Sequence, residues 1–223
     1  MRTLIFLAYF LASTVVVFAQ ETETETAEKQ KTDLKWHFGV GMSSNPDYNI
    51  NDKLLASGNH RISDFVPTAV VGWSINLKRY TIELEGGFSG FWKKDDGYRL
   101  SQVPLALRGK YTVIDGEKFS IAAGAGITFV GSDLAIYSEN AVIDMNDLNP
   151  DNNSGYIRLR NSSWFASPSL SFALGKFTGK ETRLILGYDI AISNTKWKAD
   201  YGHISNPVRE NGNRFFIGFQ YPF

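Results

Sequence analysis

The sequence predicts an all-β protein, an eight-stranded antiparallel up-and-down transmembrane β-barrel, and three observations carry that prediction. The final stretch, N-R-F-F-I-G-F-Q-Y-P-F over 213–223, alternates with period two and puts Phe215, Ile217, Phe219, Tyr221 and Phe223 on one face. Seven earlier segments alternate in the same way. The connections sort by parity, tight after segments two, four and six, and long and polar after one, five and seven. Short turns at one end and long loops at the other are the pattern of barrels that cross an outer membrane, with both termini in the periplasm. In such a barrel the backbone pairs around a closed ring while acyl chains cover the apolar face.

Residues 1–19 read as a secretory signal peptide. Arg2 supplies the positive start, Leu4 to Phe18 is apolar, and Val17 and Ala19 hold the small-residue positions before a cut at Gln20. Residues 20–34, which include E-T-E-T-E-T-A-E-K-Q-K-T-D, are polar and aperiodic. They are expected to form a disordered periplasmic leader, because they cannot bury enough surface to offset their ordering entropy. Residues 35–223 then form the barrel. The chain has no cysteine, which excludes a lipidation cysteine, a disulfide and a thiolate metal site. With 23 Lys+Arg against 23 Asp+Glu it has no electrostatic footprint for nucleic acid.

The eight segments follow in order. Segment one, 35–43, sets Trp36, Phe38, Val40 and Met42 against His37, Gly39 and Gly41. Segment two, 65–77, sets Ala69, Val71, Trp73, Ile75 and Leu77 against Thr68, Gly72, Ser74 and Asn76. Segment three, 80–93, sets Tyr80, Ile82, Leu84, Phe88 and Trp92 against Thr81, Glu83, Glu85 and Ser89. Segment four, 98–113, has Val103, Leu105, Leu107 and Tyr111 opposite Gln102, Ala106, Arg108 and Lys110. Segment five, 118–131, alternates Phe119, Ile121, Ala123, Ala125, Ile127 and Phe129 with Ser120, Ala122, Gly124, Gly126 and Thr128. Segment six, 162–176, alternates Trp164, Ala166, Leu170, Phe172 and Leu174 with serines. Segment seven, 182–193, sets Leu184, Leu186, Tyr188, Ile190 and Ile192 against Arg183, Gly187 and Asp189. Segment eight is the final stretch. Tyr80, Tyr111, Tyr221 and Phe223 gather at one expected interface, and Trp92, Trp164 and Phe215 at the other. After segment three, Asp96-Gly97 predicts a two-residue type I′ turn that prolongs both strands.

The charged residues within these spans all fall on the inner face. They form a candidate structural ion network in the lumen: Glu83, Glu85, Arg108, Lys110, Arg183, Asp189 and Arg214. The energetics explain the sorting, since Arg or Lys facing lipid at the midplane costs about 2–4 kcal/mol whereas an inward charge finds a partner. The two-residue turn sets Glu85 opposite Arg108 and Glu83 opposite Lys110. At eight strands side chains fill the interior, which excludes a wide pore. The glycines and serines of segments five and six either leave a thin polar path, a narrow channel, or seat the inward Phe165 and Phe216.

The segment Gln102-Val-Pro-Leu-Ala-Leu-Arg-Gly-Lys-Tyr111 resembles a strand of the outer-membrane β-barrel domain family abundant in Bacteroidota, sometimes called PorT-like, whose members show I/V-P-L-x-L-K/R-x-x-Y. The Gly-rich Ala122-Ala-Gly-Ala-Gly126 and the final strand extend the likeness over about 35–223. The resemblance implies a non-enzymatic outer-membrane barrel, some relatives of which assist secretion or join larger membrane assemblies, with no catalytic residues and no cofactor.

Two stretches carry other chemistry. Tyr201-Gly-His-Ile-Ser-Asn206 is similar to the His-x-Ser-Asn motif of outer-membrane lipid A deacylases, in which a His activates a Ser nucleophile and an acid on the last strand orients the His. Here His203 and Ser205 are present, but Arg214 stands near where the acid belongs. Residues 144–155, rich in Asp and Asn, offer calcium ligands without the spacing of an EF-hand. The expected partners are outer-membrane lipid, lipopolysaccharide, and other outer-membrane or periplasmic proteins reached through the loops 44–64, 132–161 and 194–212. Nucleic acid is not among them.

Overall fold

The computed structural model describes residues 33–44, 48–93, 97–137, 156–175, 181–200 and 204–223. In chain order these form β1 (Asp33–Ser44), α1 (Ile50–Ala56), β2 (Phe65–Leu77), β3 (Tyr80–Lys93), β4 (Tyr98–Asp115), β5 (Phe119–Tyr137), β6 (Tyr156–Ala166) and β7 (Ser169–Leu174). β8 (Thr182–Ala191), β9 (Thr195–Lys196), β10 (Lys198–Ala199), β11 (Arg209–Glu210) and β12 (Arg214–Pro222) complete the chain. Each of β1 to β5 pairs antiparallel with the next. β6 and β7 share one position between β5 and β8, β8 pairs with β12, and β12 returns to β1. Eight strand positions therefore close into a ring, the expected fold class.

Alternation predicts the bounds of β2 and β3 as they stand. Segment six differs, broken into β6 and β7 at Ser167-Pro168. Proline has no N–H to give the ladder. Its carbonyl is still used, accepting from the Tyr188 N–H at 3.0 Å, while the Ser167 N–H donates to the Gly126 carbonyl at 2.9 Å. The loop expected over 132–161 is partly strand, since β5 runs on to Tyr137 and β6 begins at Tyr156.

The turn after β3 also differs. Lys93 pairs with Tyr98, so four residues separate the strands instead of two, with Gly97 at φ +69°. Arg108 accordingly lies opposite Glu83, and Glu85 opposite Ala106. A slip of two residues preserves which face each side chain takes, so parity alone does not detect it.

The outer wall is apolar around the ring: Val40, Val71, Ile82, Leu105, Ile127, Leu170, Ile190 and Phe219 are all exposed. The inner wall is polar and buried, the reverse of a soluble protein. Tilted ring pairs mark both rims, Tyr80 with Tyr111 at 5.1 Å toward the short-turn end and Phe129 with Trp164 at 5.0 Å toward the long-loop end.

At the long-loop end a small apolar core fills the mouth. Val66, Leu100 and Leu134, from the inner faces of β2, β4 and β5, pack with Tyr48, Ile50, Leu54, Ile62, Tyr98 and Trp197. α1 builds part of this cap from N-I-N-D-K-L-L-A. Ile50 and Leu54, four apart, share the buried face.

Candidate functional site: the lumen and its cap

Ionic side chains fill the barrel in three groups. Nearest the short turns, Lys110 Nζ lies 2.6 Å from Glu83 Oε2, and Arg183 Nη1 lies 3.5 Å from Glu83 Oε1. Arg183 also donates through Nε to Glu181 at 2.7 Å. In the middle, Glu85 receives Arg108 and Gln220, with His37 Nε2 at 3.0 Å. Above it Asp189 accepts from Arg214 Nε at 3.1 Å and from the Ser167 hydroxyl at 2.5 Å. All seven residues named from the sequence are in this network. Sequence reasoning missed the roles of His37, Gln220 and Ser167, although the parity of their segments already turned them inward, and that of Glu181, which it placed in the turn before segment seven.

Two guanidinium groups also lie over aromatic rings, Arg108 at 5.0 Å from Phe216 and Arg214 at 4.5 Å from Phe165. The glycines explain how these bulky groups fit. A Cβ on Gly126 would stand 2.7 Å from Arg108 Cγ, and one on Gly124 would stand 2.7 Å from Lys110 Cγ. The β5 glycines Gly124 and Gly126 thus seat the cation stems rather than Phe165 and Phe216. Phe216 instead crosses Gly187, where any Cβ would overlap its ring. A cavity of about 90 Å³ lies among these groups, lined by Glu85, Arg108, Asp189, Arg214 and Thr128 among others, and a second of about 20 Å³ lies beside Gln102, Phe165 and Trp197.

The cap is joined to the lumen by polar contacts. The Gln102 amide donates to the Tyr48 hydroxyl at 3.0 Å and to Ser132 Oγ at 2.9 Å. Glu210 binds the cap together from the last long loop. Its carboxylate accepts the Asn49 N–H at 2.9 Å, the Ile50 N–H at 3.0 Å and the Trp197 indole N–H at 2.8 Å. Burial lifts the Glu210 carboxyl above its ordinary range, and these three donors offset only part of that rise.

On the outer wall above Trp164, two arginines and two aspartates interlock. Arg158 Nε donates to Asp133 at 2.8 and 3.0 Å, and Arg160 lies 3.3 Å from Asp133 and 3.0 Å from Asp200. Desolvation would raise the Asp133 carboxyl, but the hydrogen bonds and charge of Arg158 and Arg160 outweigh it and hold the group low.

Of the other candidate residues, Ser205 is exposed. His203, the 144–155 segment and residues 1–32 lie outside the described residues.

A ring of eight antiparallel strands, apolar outside and ionic within, is the fold of the small outer-membrane β-barrels. The chain is similar in structure to Neisserial surface protein A, with a TM-score of 0.50 and 9% identity, covering 85% of this chain and 97% of that one. A major outer membrane protein of Thermus thermophilus matches with a TM-score of 0.48 and 12% identity over 84% of this chain and 99% of its own. OprG from Pseudomonas aeruginosa matches with a TM-score of 0.45 and 15% identity over 85% and 94%. At such identities the likeness concerns the fold alone. No family model and no curated protein matches the chain.

Proposed function

We propose that this chain is an integral outer-membrane barrel with a structural or interaction role, an accessory subunit of a larger outer-membrane or secretion assembly. Its capped end faces outside the cell; its termini and short turns face the periplasm. One observation carries the reading: paired charges occupy the lumen and an apolar core closes its mouth. A filled eight-stranded interior offers neither a wide passage nor room for a sizeable ligand. Among the described residues the cap offers a surface for recognition, where Leu55 and Ile157 are 56% and 54% exposed. The resemblance of 102–111 to the Bacteroidota barrels agrees with this assignment.

The test has two arms. Purified barrel in planar bilayers should give no steady conductance, and a persistent open current would overturn the closed-lumen reading. A photo-crosslinker at Leu55 or Ile157 in cells should capture one defined neighbour, and one on the lipid-facing Val40 should not. Equal capture from both surfaces would defeat the interaction role.

A further inference from the structure

We propose that the outer wall at the capped end binds the phosphorylated saccharide headgroup of an outer-leaflet glycolipid, in a recess between the Trp164–Phe129 rings and the Arg158–Arg160 pair. The proposal rests on the membrane reading above and adds to it a site, a ligand class and residues.

The strand register builds the recess. On β5 and β6, Phe129 pairs with Trp164, Gly131 with Ser162, and Asp133 with Arg160, so these three rows stack on one outward face. The lowest row is aromatic, as expected at the boundary between acyl chains and headgroups. The highest row carries Arg160 beside Asp133, and Arg158, paired with Ala135, stands one row further up. Arg160 stands four positions from Trp164, about 13 Å along the strand. A strand tilt near 40° reduces that to about 10 Å of height, which places the arginines at the level of headgroups.

The middle row is a notch. A Cβ built on Gly131 meets only Phe129 Cε1, at 3.7 Å, and Ser162 beside it is small and exposed. A sugar ring resting there would stack on the aromatic row and present its phosphates to the row above.

The charge count favours an anion. Lys198 lies opposite Arg160, and Arg99 lies opposite Ala135, which itself pairs with Arg158. Among the described residues, four cations therefore share this face with Asp133 and Asp200: Arg158 and Arg160 pair with the two aspartates, and Lys198 and Arg99 add two positive charges. The two aspartates hold the arginine side chains in place, and Arg160 remains 55% exposed. Pre-oriented guanidinium groups suit the oxygens of a phosphate.

The probes are bisphosphorylated lipid A and the same lipid stripped of its phosphates, each offered to the detergent-purified barrel and quantified after gel filtration by mass spectrometry. Wild type should retain the phosphorylated probe about tenfold better, a difference of about 1.4 kcal/mol. R158Q/R160Q should lose that preference. G131F, which fills the notch where space already exists, should lose it as well with folding intact, as judged by heat-modifiable gel mobility. K53Q, on α1, should behave as wild type. Equal retention of the two probes by wild type, or a preference that survives G131F, would overturn the site. A chain that stays monodisperse without any surfactant would instead overturn the membrane reading itself.

Discussion

Arg108 and Glu85 are ion-paired in the centre of the barrel although they are not register partners: Arg108 lies opposite Glu83, and Glu85 opposite Ala106. The pair runs diagonally between β3 and β4, and both side chains are almost wholly buried. Removing one partner strands a charge in a poorly solvated interior. E85Q should therefore cost about 3–5 kcal/mol, read from urea unfolding of the barrel in lipid vesicles. The double variant E85L/R108M removes both charges and should recover most of the loss. If E85Q unfolds at the wild-type urea concentration, the network contributes little to holding the fold.

Glycine on β5 can be tested separately from the charges. A methyl group on Gly126 would overlap the Leu107 carbonyl and press on Arg108 Cγ, whereas one on Gly109 meets nothing within 4 Å. G126A should destabilise by about 1–3 kcal/mol, the usual cost of overpacking, and G109A should leave the midpoint unchanged. Equal midpoints for both variants would mean that Arg108 has freedom to move aside.

The sequence showed the barrel clearly because lipid and lumen enforce a strict period of two. β2 and β3 have their expected bounds, and the inward charges are the ones that alternation selects. What escaped the reading has physical causes. The continuation of β5 and β6 sets Leu134 and Leu159 inward but carries Asp133, Arg158 and Arg160 outward, so the stretch has the composition of a polar loop. α1 is seven residues long, too short for its period to stand out. The contact of Glu210 with Ile50 joins residues 160 apart in sequence, and no local pattern announces it. The turn after β3 hides its true length because a two-residue slip leaves every side chain on its original face.

Glu210 gives the cap a pH dependence of defined sign. Its carboxyl titrates higher in the folded protein than its ordinary value of 4.5, because burial disfavours the ionised form. Such a group stabilises the fold fully below its unfolded value, and that contribution is lost as pH rises through the folded value. The Trp197 indole N–H resonance should therefore report a cap that loosens as pH rises above 4.5, and E210Q should flatten the change. Asp133 works in the opposite sense. Held below its ordinary 3.8, it stabilises above that value and stops doing so as pH falls through its lowered one. A wild-type cap signal that does not change as pH rises above 4.5 would mean that the three donors offset the burial of Glu210 in full.

The outermost claim, that lipid covers the apolar wall, is tested at Val40. It is exposed in the middle of β1, between Ala69 of β2 and Phe219 of β12. Its neighbours on the same strand alternate cleanly, with Phe38 and Met42 exposed while His37 is buried. In water an exposed valine tolerates arginine, and surface changes of that kind stay within about 0.5 kcal/mol. At the midplane of a bilayer the same change costs about 2–4 kcal/mol, because the guanidinium must be desolvated or must drag water and headgroups inward. V40R should therefore unfold at markedly lower urea in vesicles, while the same substitution at Lys78, in the turn after β2, should be silent. The contrast should shrink in detergent micelles, whose apolar layer is thinner and more easily wetted. Equal behaviour of the two variants in vesicles would mean that Val40 faces water, and the outer wall would then need another explanation for its unbroken apolar girdle.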